Sequence, residues 1–586
     1  MNSTWDLTIL YDGFDDPKFA SDMQSLDGMI DALTGFKSSA EKMDSREFLL
    51  EFIRVSSELS DLVTKLFNYS NLRYSVNTAD SEAASTMGVL LGKYSATAAP
   101  LAALNKLVAA IPNLSELIDT DDTLRAHRYF LESIQRDSKH LLSDAEESLF
   151  AEMNISGASA WSDLQSSLTS TVKVDYNGEA ITLPAVRNLA YDPDPAVRRK
   201  AYEAELAAYK SIDTSVAFAL NSIKLQVINE AKRRGYESAL DKALASSRMK
   251  RETLDALISA MEEYMPAFRK YLRAKAKALG HEGGLPWYDL FAPMGKSENK
   301  FTAEEARDYL LNIFAKFDTE LHDMVKEAFD NSWIDFYPRE GKVGGAFDCA
   351  VHSAGQSRVL TNFDGSFSSI VTLAHELGHS FHDRQVYRNE SLNREYSMPV
   401  AETASTFNEV LVVSTALSET EDKDEKLALL ESQLMDAAQV IVDIYSRYTF
   451  ESSVFACRPS EFLSPERMCE LMLEAQKKAY GDGLDENALH PYMWLCKGHY
   501  YSGDLSFYNY PYAFGALFAR GLYAKYLNDA NSFVDTYKKL LRATGTADCE
   551  DAAMIAGVDL TSPDFWRAGL ESIAKQIDEF CDLLEK

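Results

Sequence analysis

Residues 375–379 read His-Glu-Leu-Gly-His, inside the longer segment SFSSIVTLAHELGHSFH (366–382). On a helix, two histidines four apart project side by side from one face, with backbones about 6 Å apart. Two imidazoles so placed can share one cation. Glu376, turned about 100° from His375, flanks the same point and reaches a water held there. Two neutral nitrogens beside a carboxylate base is the donor pattern of a hydrolytic zinc site. Ile370, Leu373, Leu377 and Phe381 line another face of the same helix as an apolar stripe. Gly378 costs about 1 kcal/mol relative to alanine inside a helix, so its presence predicts close approach by another element.

A catalytic zinc takes a third protein ligand and keeps one position open. One known solution places a glycine three residues after the second histidine and a third histidine three beyond that. This chain has His382 and Gln385 there, which closes that option. A carboxylate from a following helix is the alternative. PVAETASTFNEVLVVSTALS (399–418) reads as a helix with Pro399 near its start. Glu402 and Glu409, seven apart, share one stripe of it. Glu402 is expected as third ligand, Glu409 as an acceptor that orients a histidine, and His382 as a supporting residue one turn beyond His379.

The elements that must hold these groups are mostly helical. Apolar residues recur at three- and four-residue spacing over 42–70, 81–110, 113–154, 196–234, 250–279, 302–330 and 424–454. Ser45 and the Thr302/Glu305 capping box give start signals. The run DYNGEAITLPAVRNLAYDPDPAVRRK (175–200), with an Asn-Gly turn and three prolines, predicts a boundary between an N-terminal helical lobe (1–195) and a catalytic domain (196–586). GHEGGLPWYDLFAPMGKSENKF (280–301) reads as a long loop packed by its own aromatics. YPREGKVGGAFDCAVHSAGQSRVLTNF (337–363) reads as a short hairpin feeding the histidine helix. Its Gly344-Gly345-Ala346-Phe347 stretch offers an edge where an extended peptide can add backbone hydrogen bonds, at Gly345, Ala346 and Phe347.

Composition bounds the function. The chain has 586 residues, 90 acidic against 59 basic, and a formal net charge of −31. Such a surface repels phosphates and anionic lipid headgroups, arguing against nucleic-acid and membrane partners. The six cysteines include no C-x-x-C pair, the start has no basic-then-apolar leader, and the most apolar stretch (96–112) is broken by two prolines and Lys106. A cytoplasmic protein in a reducing compartment is the expectation.

HELGHSFH followed by AETASTFNE resembles the M3 thimet-type zinc metallopeptidases, and more closely their oligoendopeptidase F branch. DPAVRRKAY (194–202), LPWYDLFAP (285–293), PREGKVGGAF (338–347) and the His/Tyr cluster at 499–512 extend the match. From about residue 190 onward the resemblance is strong; earlier it is limited to a WDL-like start and helical character. It implies a mainly α, two-lobed, zincin-like body, with a small β-sheet beside the active-site helix and a deep central channel. It also implies one zinc ion on His375, His379 and Glu402, with Glu376 as catalytic carboxylate. The implied activity is endopeptidase cleavage of short peptides, large folded proteins being excluded by a narrow channel.

Amide hydrolysis builds charge on the carbonyl oxygen, and donors must wait there. Similar family segments use a histidine and tyrosines for this, and the match points to His499 and Tyr510, then to Tyr501 and Tyr508. Phe507 stands where the thimet branch has a tyrosine, which leaves the choice of phenol open. Gly498, Gly503 and Gly515 suggest a loop able to move on closure. In the implied mechanism zinc lowers the pKa of its water to about 7, and Glu376 takes the proton during attack. Glu376 then returns the proton to the leaving nitrogen. Two rivals stand beside this reading: trimming of dipeptides from C-termini, and a peptide-binding scaffold with an idle zinc site.

Overall fold

The computed structural model describes residues 2–295 and 299–585. The loop expected at 280–301 therefore lies partly outside the described residues. Its visible part holds a short 3-10 turn, Trp287–Asp289, with Trp287 packed edge-on to Tyr480.

The chain opens with α1 (Pro17–Ala40), capped by Asp16, and α2 (Ser45–Val76), capped by Asp44. Helix α1 is not apparent from periodicity alone, because its apolar spacing is diluted by Gly28 and Gly35. The expected helix 113–154 is four helical pieces, broken at Asp119–Asp121, His127 and the Leu141–Ser143 turn. The Asn177-Gly178 step is not a mere boundary: both residues have positive φ, 58° and 82°, and they close a hairpin of β1 (Lys173–Tyr176) and β2 (Glu179–Thr182). Then follow α3 (Pro195–Tyr209), α4 (Asp213–Arg233) and α5 (Arg251–Ala278). Thr302 and Glu305 form the expected reciprocal capping box.

Apolar packing forms two cores. One runs from Trp5 to Leu131 and takes in Val351 and Leu360; the other starts at Ala158 and gathers the rest. The change from one core to the other comes between Leu131 and Ala158, and the β1–β2 hairpin contributes Val174 to the second core.

A three-stranded sheet leads into the chemistry. β3 (Ile334–Asp335) runs parallel to β5 (Gln356–Leu360), and β4 (Phe347–Val351) runs antiparallel to β5. The order β3-β5-β4 leaves β4 at an edge, as expected of the hairpin. Helix α6 (Phe367–Val386) follows, capped by Ser366, with Ile370, Leu373, Leu377 and Phe381 buried. Next come α7 (Thr403–Glu419), α8 (Lys423–Ala438), α9 (Ile444–Cys457), α10 (Tyr510–Asn528) and α11 (Pro563–Glu585). All six cysteines are free. Among the described residues no helix is long and apolar enough to cross a membrane.

The tightest seam joins α6 to α7. A Cβ on Gly378 would stand 2.5 Å from the Ala404 carbonyl oxygen and 2.5 Å from Ser405 Cα. Asn408 spans the same seam by donating to the Ala374 carbonyl at 3.1 Å. Gly378→Ala must therefore push backbone against backbone, and it is expected to destabilise the protein by about 1–3 kcal/mol in denaturant unfolding. Gly28→Ala on α1, with no atom within 4 Å of the added methyl, is expected to be neutral or stabilising by up to about 1 kcal/mol.

Candidate metal centre and active site

Helix α6 delivers His375 and His379, and the joint before α7 delivers Glu402. Glu402 does not sit one turn inside a helix, as expected from 399–418. It is the residue between a short helix, Met398–Ala401, and α7 (φ −85°, ψ 9°). Gly515 on α10 makes room for it: a Cβ there would lie 2.8 Å from Glu402 Cβ. Ser405 donates to Glu402 Oε2 at 2.9 Å and fixes the carboxylate.

The three donor atoms meet. His375 Nε2 and His379 Nε2 are 3.2 Å apart, and Glu402 Oε2 lies 3.3 Å from the first and 3.4 Å from the second. Ligands bound tetrahedrally to one zinc at about 2.0–2.1 Å stand about 3.3 Å from each other. Glu409 Oε1 accepts from His375 Nδ1 at 2.5 Å, which fixes that proton and turns the Nε2 lone pair toward Glu402. Three electron-pair donors held this close repel one another unless a positive charge lies between them. The residues therefore fit a divalent cation.

Electrostatics agree. Burial alone would raise the Glu402 carboxyl, but the two imidazoles outweigh burial and hold it well below the usual carboxylate range. Glu376 is 6% exposed, and burial raises its carboxyl above the ordinary value despite His375 and His379 nearby. Its carboxylate joins the two histidine nitrogens in one cluster, all within 4.8 Å. His382 is fully buried; its Nε2 meets the Thr544 hydroxyl at 2.8 Å and its ring stacks on Tyr396. Burial pushes its pKa down to about 3, so it is a neutral packing residue behind the cluster.

The His/Tyr segment divides in two. His499, Tyr508 and Tyr512 gather, with ring centroids 5.1 Å (His499–Tyr508), 6.0 Å (His499–Tyr512) and 5.6 Å (Tyr508–Tyr512) apart. Burial, and next Arg447 and Lys497, lower the His499 pKa. Tyr512 lines one recess of about 330 Å³ together with His375, Glu402, Glu409 and Arg520. Tyr510 and Tyr501 go elsewhere. Tyr510 is 1% exposed and its hydroxyl is bonded to Ser247 at 2.8 Å; Tyr501 donates to the Trp494 carbonyl at 3.0 Å. Tyr510 begins α10, and residues two apart on a helix face opposite ways, so Tyr510 enters the core while Tyr512 faces the recess. Tyr512 was not singled out in the sequence; its spacing from Tyr510 was the available signal.

The loop before α10 is pinned rather than free. Buried Glu451 accepts from Phe507 N (3.1 Å), Asn509 Nδ2 (2.9 Å) and Lys224 Nζ (2.7 Å). Phe507 holds φ 56°, a strained conformation that the Glu451 contact stabilises. Gly503 meets Ala158, where a Cβ would come within 2.7 Å, so packing explains it as it explains Gly515.

On the sheet side, Ser380 Oγ donates to Asp348 Oδ1 at 2.6 Å and ties β4 to α6 beside His379. Gly344 and Gly345 have nothing within 4 Å of an added Cβ, so space borders those two residues, while Phe347 packs toward Trp5.

Two imidazoles and one carboxylate brought together with a buried acid against them are the groups that metallopeptidase chemistry calls for. The chain belongs to Peptidase family M3, whose sequence profile matches residues 188–572, and that of Oligopeptidase F matches residues 112–173. It is similar to Oligopeptidase PepF of Bacillus subtilis, 26% identical over 603 residues covering 100% of this chain and 87% of that one. An Oligoendopeptidase F homolog of Lactococcus lactis subsp. lactis is 27% identical over 610 residues, covering 100% and 97%. The fold is shared with a crystal structure from Chlamydophila abortus (TM-score 0.85, 22% identity, 99% and 98% covered). It is shared also with oligoendopeptidase-F from Enterococcus faecium (TM-score 0.71, 19% identity, 96% and 99% covered). The protein is a metalloendopeptidase, and its family implies a metal.

Glu409→Gln removes the acceptor of the His375 proton and is expected to weaken metal binding about 10- to 100-fold in a chelator competition assay. Tyr512→Phe is expected to lower kcat about 10- to 1000-fold with little change in KM. Tyr510→Phe, by contrast, is expected to change stability by about 1 kcal/mol and kcat little.

Proposed function

We propose that the protein is a zinc-dependent oligoendopeptidase that cuts short peptides internally, with Glu376 as general base and then general acid. The observation that carries this is the three-donor triangle of 3.2–3.4 Å, with the carboxylate of Glu376 beside it and not in it. A structural zinc site is closed by four protein ligands and needs no neighbouring base, which disfavours an idle scaffold.

Zinc held by His375, His379 and Glu402 supplies Lewis acidity toward water and the scissile carbonyl. Glu376, raised by burial, takes the proton of the attacking water and delivers it to the departing amine nitrogen. Glu409 holds the His375 imidazole in the tautomer that presents Nε2. His499, Tyr508 and Tyr512 supply N–H and O–H donors to the carbonyl oxygen as it gains charge. The β4 edge at Gly345, Ala346 and Phe347 aligns the peptide through its backbone, which makes recognition tolerant of side chains.

The preference for short substrates is part of the same reading, and a cavity between the two cores supports it. A cavity of about 1410 Å³ lies between α2 and the helix Arg128–Asp137 on one side and His352, Ser353, Tyr387, Ser391, Leu392, Arg394 and Glu395 on the other. A space of that size bounded by both lobes admits an extended chain and excludes a folded protein. The reading extends to a peptidase acting inside the cell on oligopeptides.

Glu376→Gln is expected to retain one zinc per chain, measured by metal analysis, and to lose turnover of a quenched-fluorescent peptide by at least about 100-fold. Retained turnover would remove Glu376 from the chemistry. A chelator is expected to abolish cleavage and added zinc to restore it. Mass spectrometry of a long peptide's products should give internal fragments, not a ladder of C-terminal dipeptides.

A further inference from the structure

The large cavity carries a cation that the fold itself leaves without a counter-ion. Three arginines line it: Arg234, Arg248 and Arg394. Arg234 pairs with Glu147 at 2.7 Å, and Arg394 stands 3.6 Å from Asp61. Among the described residues Arg248 has no carboxylate within 4 Å. Its guanidinium donates to the Glu395 carbonyl at 3.1 Å and lies over the Tyr129 ring, 5.2 Å from the centroid. Asp548 nearby is taken up by the Tyr129 hydroxyl (2.8 Å) and Arg136 (3.2 Å). Among the described residues Arg233, Arg269, Arg358, Arg458, Arg520 and Arg542 likewise have no carboxylate within 4 Å, so what sets Arg248 apart is its place in the cavity wall.

Arg248 holds φ 51°, a left-handed conformation that glycine or asparagine adopts at less cost. The angle belongs to the end of the helix Ala239–Ser246, where Arg248 N bonds the Ala245 carbonyl and Met249 N the Leu244 carbonyl in a left-handed C-cap. The residue follows α5's preceding helix, Ala239–Ser246, and its carbonyl accepts from Cys549 N at 2.9 Å, so the left-handed turn is locked from behind while the guanidinium projects into the cavity.

The cavity begins where the substrate edge ends. His352 and Ser353, which directly follow β4, line it together with Arg248. Asp348, tied to Ser380, places the metal cluster beside the first half of β4. The Ala350 carbonyl of β4 is taken by Asn68 Nδ2 at 2.7 Å, so a substrate that reaches Arg248 does so across the cavity rather than along the strand edge.

We propose that Arg248 is a specificity-determining residue that binds a carboxylate of the peptide substrate, distal to the scissile bond. The proposal rests on the peptidase reading of the metal centre. The carboxylate can be the peptide's C-terminus or an Asp/Glu side chain. Either recognition is a charge-assisted hydrogen bond, which discriminates against a neutral isostere about tenfold or more.

The test measures affinities of fluorescent nonapeptides by anisotropy in the zinc-loaded Glu376→Gln background, where peptide is not consumed. Three probes are compared: a free C-terminal acid with one internal Glu, its C-terminal amide, and its Glu→Gln counterpart. Arg248→Gly, which suits the backbone angle, and Arg248→Lys, which keeps the charge, are measured alongside. The expected result is a loss of about tenfold with one of the two neutralised probes, which identifies the source of the carboxylate. That ratio should fall toward one in Arg248→Gly and be partly restored in Arg248→Lys. Equal affinity for all three probes, or a ratio that survives Arg248→Gly, overturns the proposal. Cleavage of the free-acid, Glu-containing probe by the unsubstituted enzyme is read separately. Its absence would count against the peptidase reading, while the binding ratios would still decide the role of Arg248.

Discussion

Backbone contact between α6 and α7 sets the spacing of every ligand in the metal centre. Gly378 allows that contact, because any side chain there would strike Ala404 and Ser405. Two histidines from one helix and two carboxylates from the region of the other then converge without long, flexible reach. His375 is held at Nδ1 by Glu409, and its Nε2 faces Glu402 Oε2 at 3.3 Å. A preformed donor triangle lowers the reorganisation that ion binding would otherwise require. Gly515 repeats the device on α10, where the missing side chain lets Glu402 settle against a third helix. Two absent methyl groups thus do as much for the site as the ligands themselves.

The protein's mainly α character and the HELGH helix were legible in the sequence, because 3.6-residue periodicity records which face is buried. Gly378 was legible for the same reason, as a residue whose helix cost needs a packing explanation. Glu402 and Glu409 were readable as a shared carboxylate stripe. That Glu402 occupies a joint between two helices was not, since Pro399 marks a helix start equally well for a short helix or a long one. The β1–β2 hairpin was visible only as an Asn-Gly turn, its strands being four residues each and largely exposed. That Val174 of this hairpin is buried in the second core was not readable from the run of prolines, because burial there is tertiary.

The aromatic segment illustrates a different limit. Five tyrosines between 500 and 512 cannot be ranked by composition, and their fates depend on where α10 begins. Asn509 starts it, and a helix start there sends Tyr510 inward and Tyr512 outward. That start is itself secured by Glu451, which binds the loop backbone at Phe507 and the Asn509 amide while neutralising buried Lys224. A charge pair distant in sequence thereby sets the direction of the phenols facing the metal. Nothing local in 494–515 encodes that.

The β4–β5 hairpin gives Val351 and Leu360 to the N-terminal core and Val359 to the catalytic one. It is thus a rivet through both halves of the molecule, and its outer rail is the edge that borders the open space at Gly344 and Gly345. It shares that task with polar ties such as Asn68 to the Ala350 carbonyl, Asn393 to the Ala126 carbonyl and Tyr129 to Asp548. The rail and the helix bearing the histidines, joined through Asp348 and Ser380, shift together when the halves rock. Widening the entrance therefore need not unseat the metal from the track along which a peptide would lie.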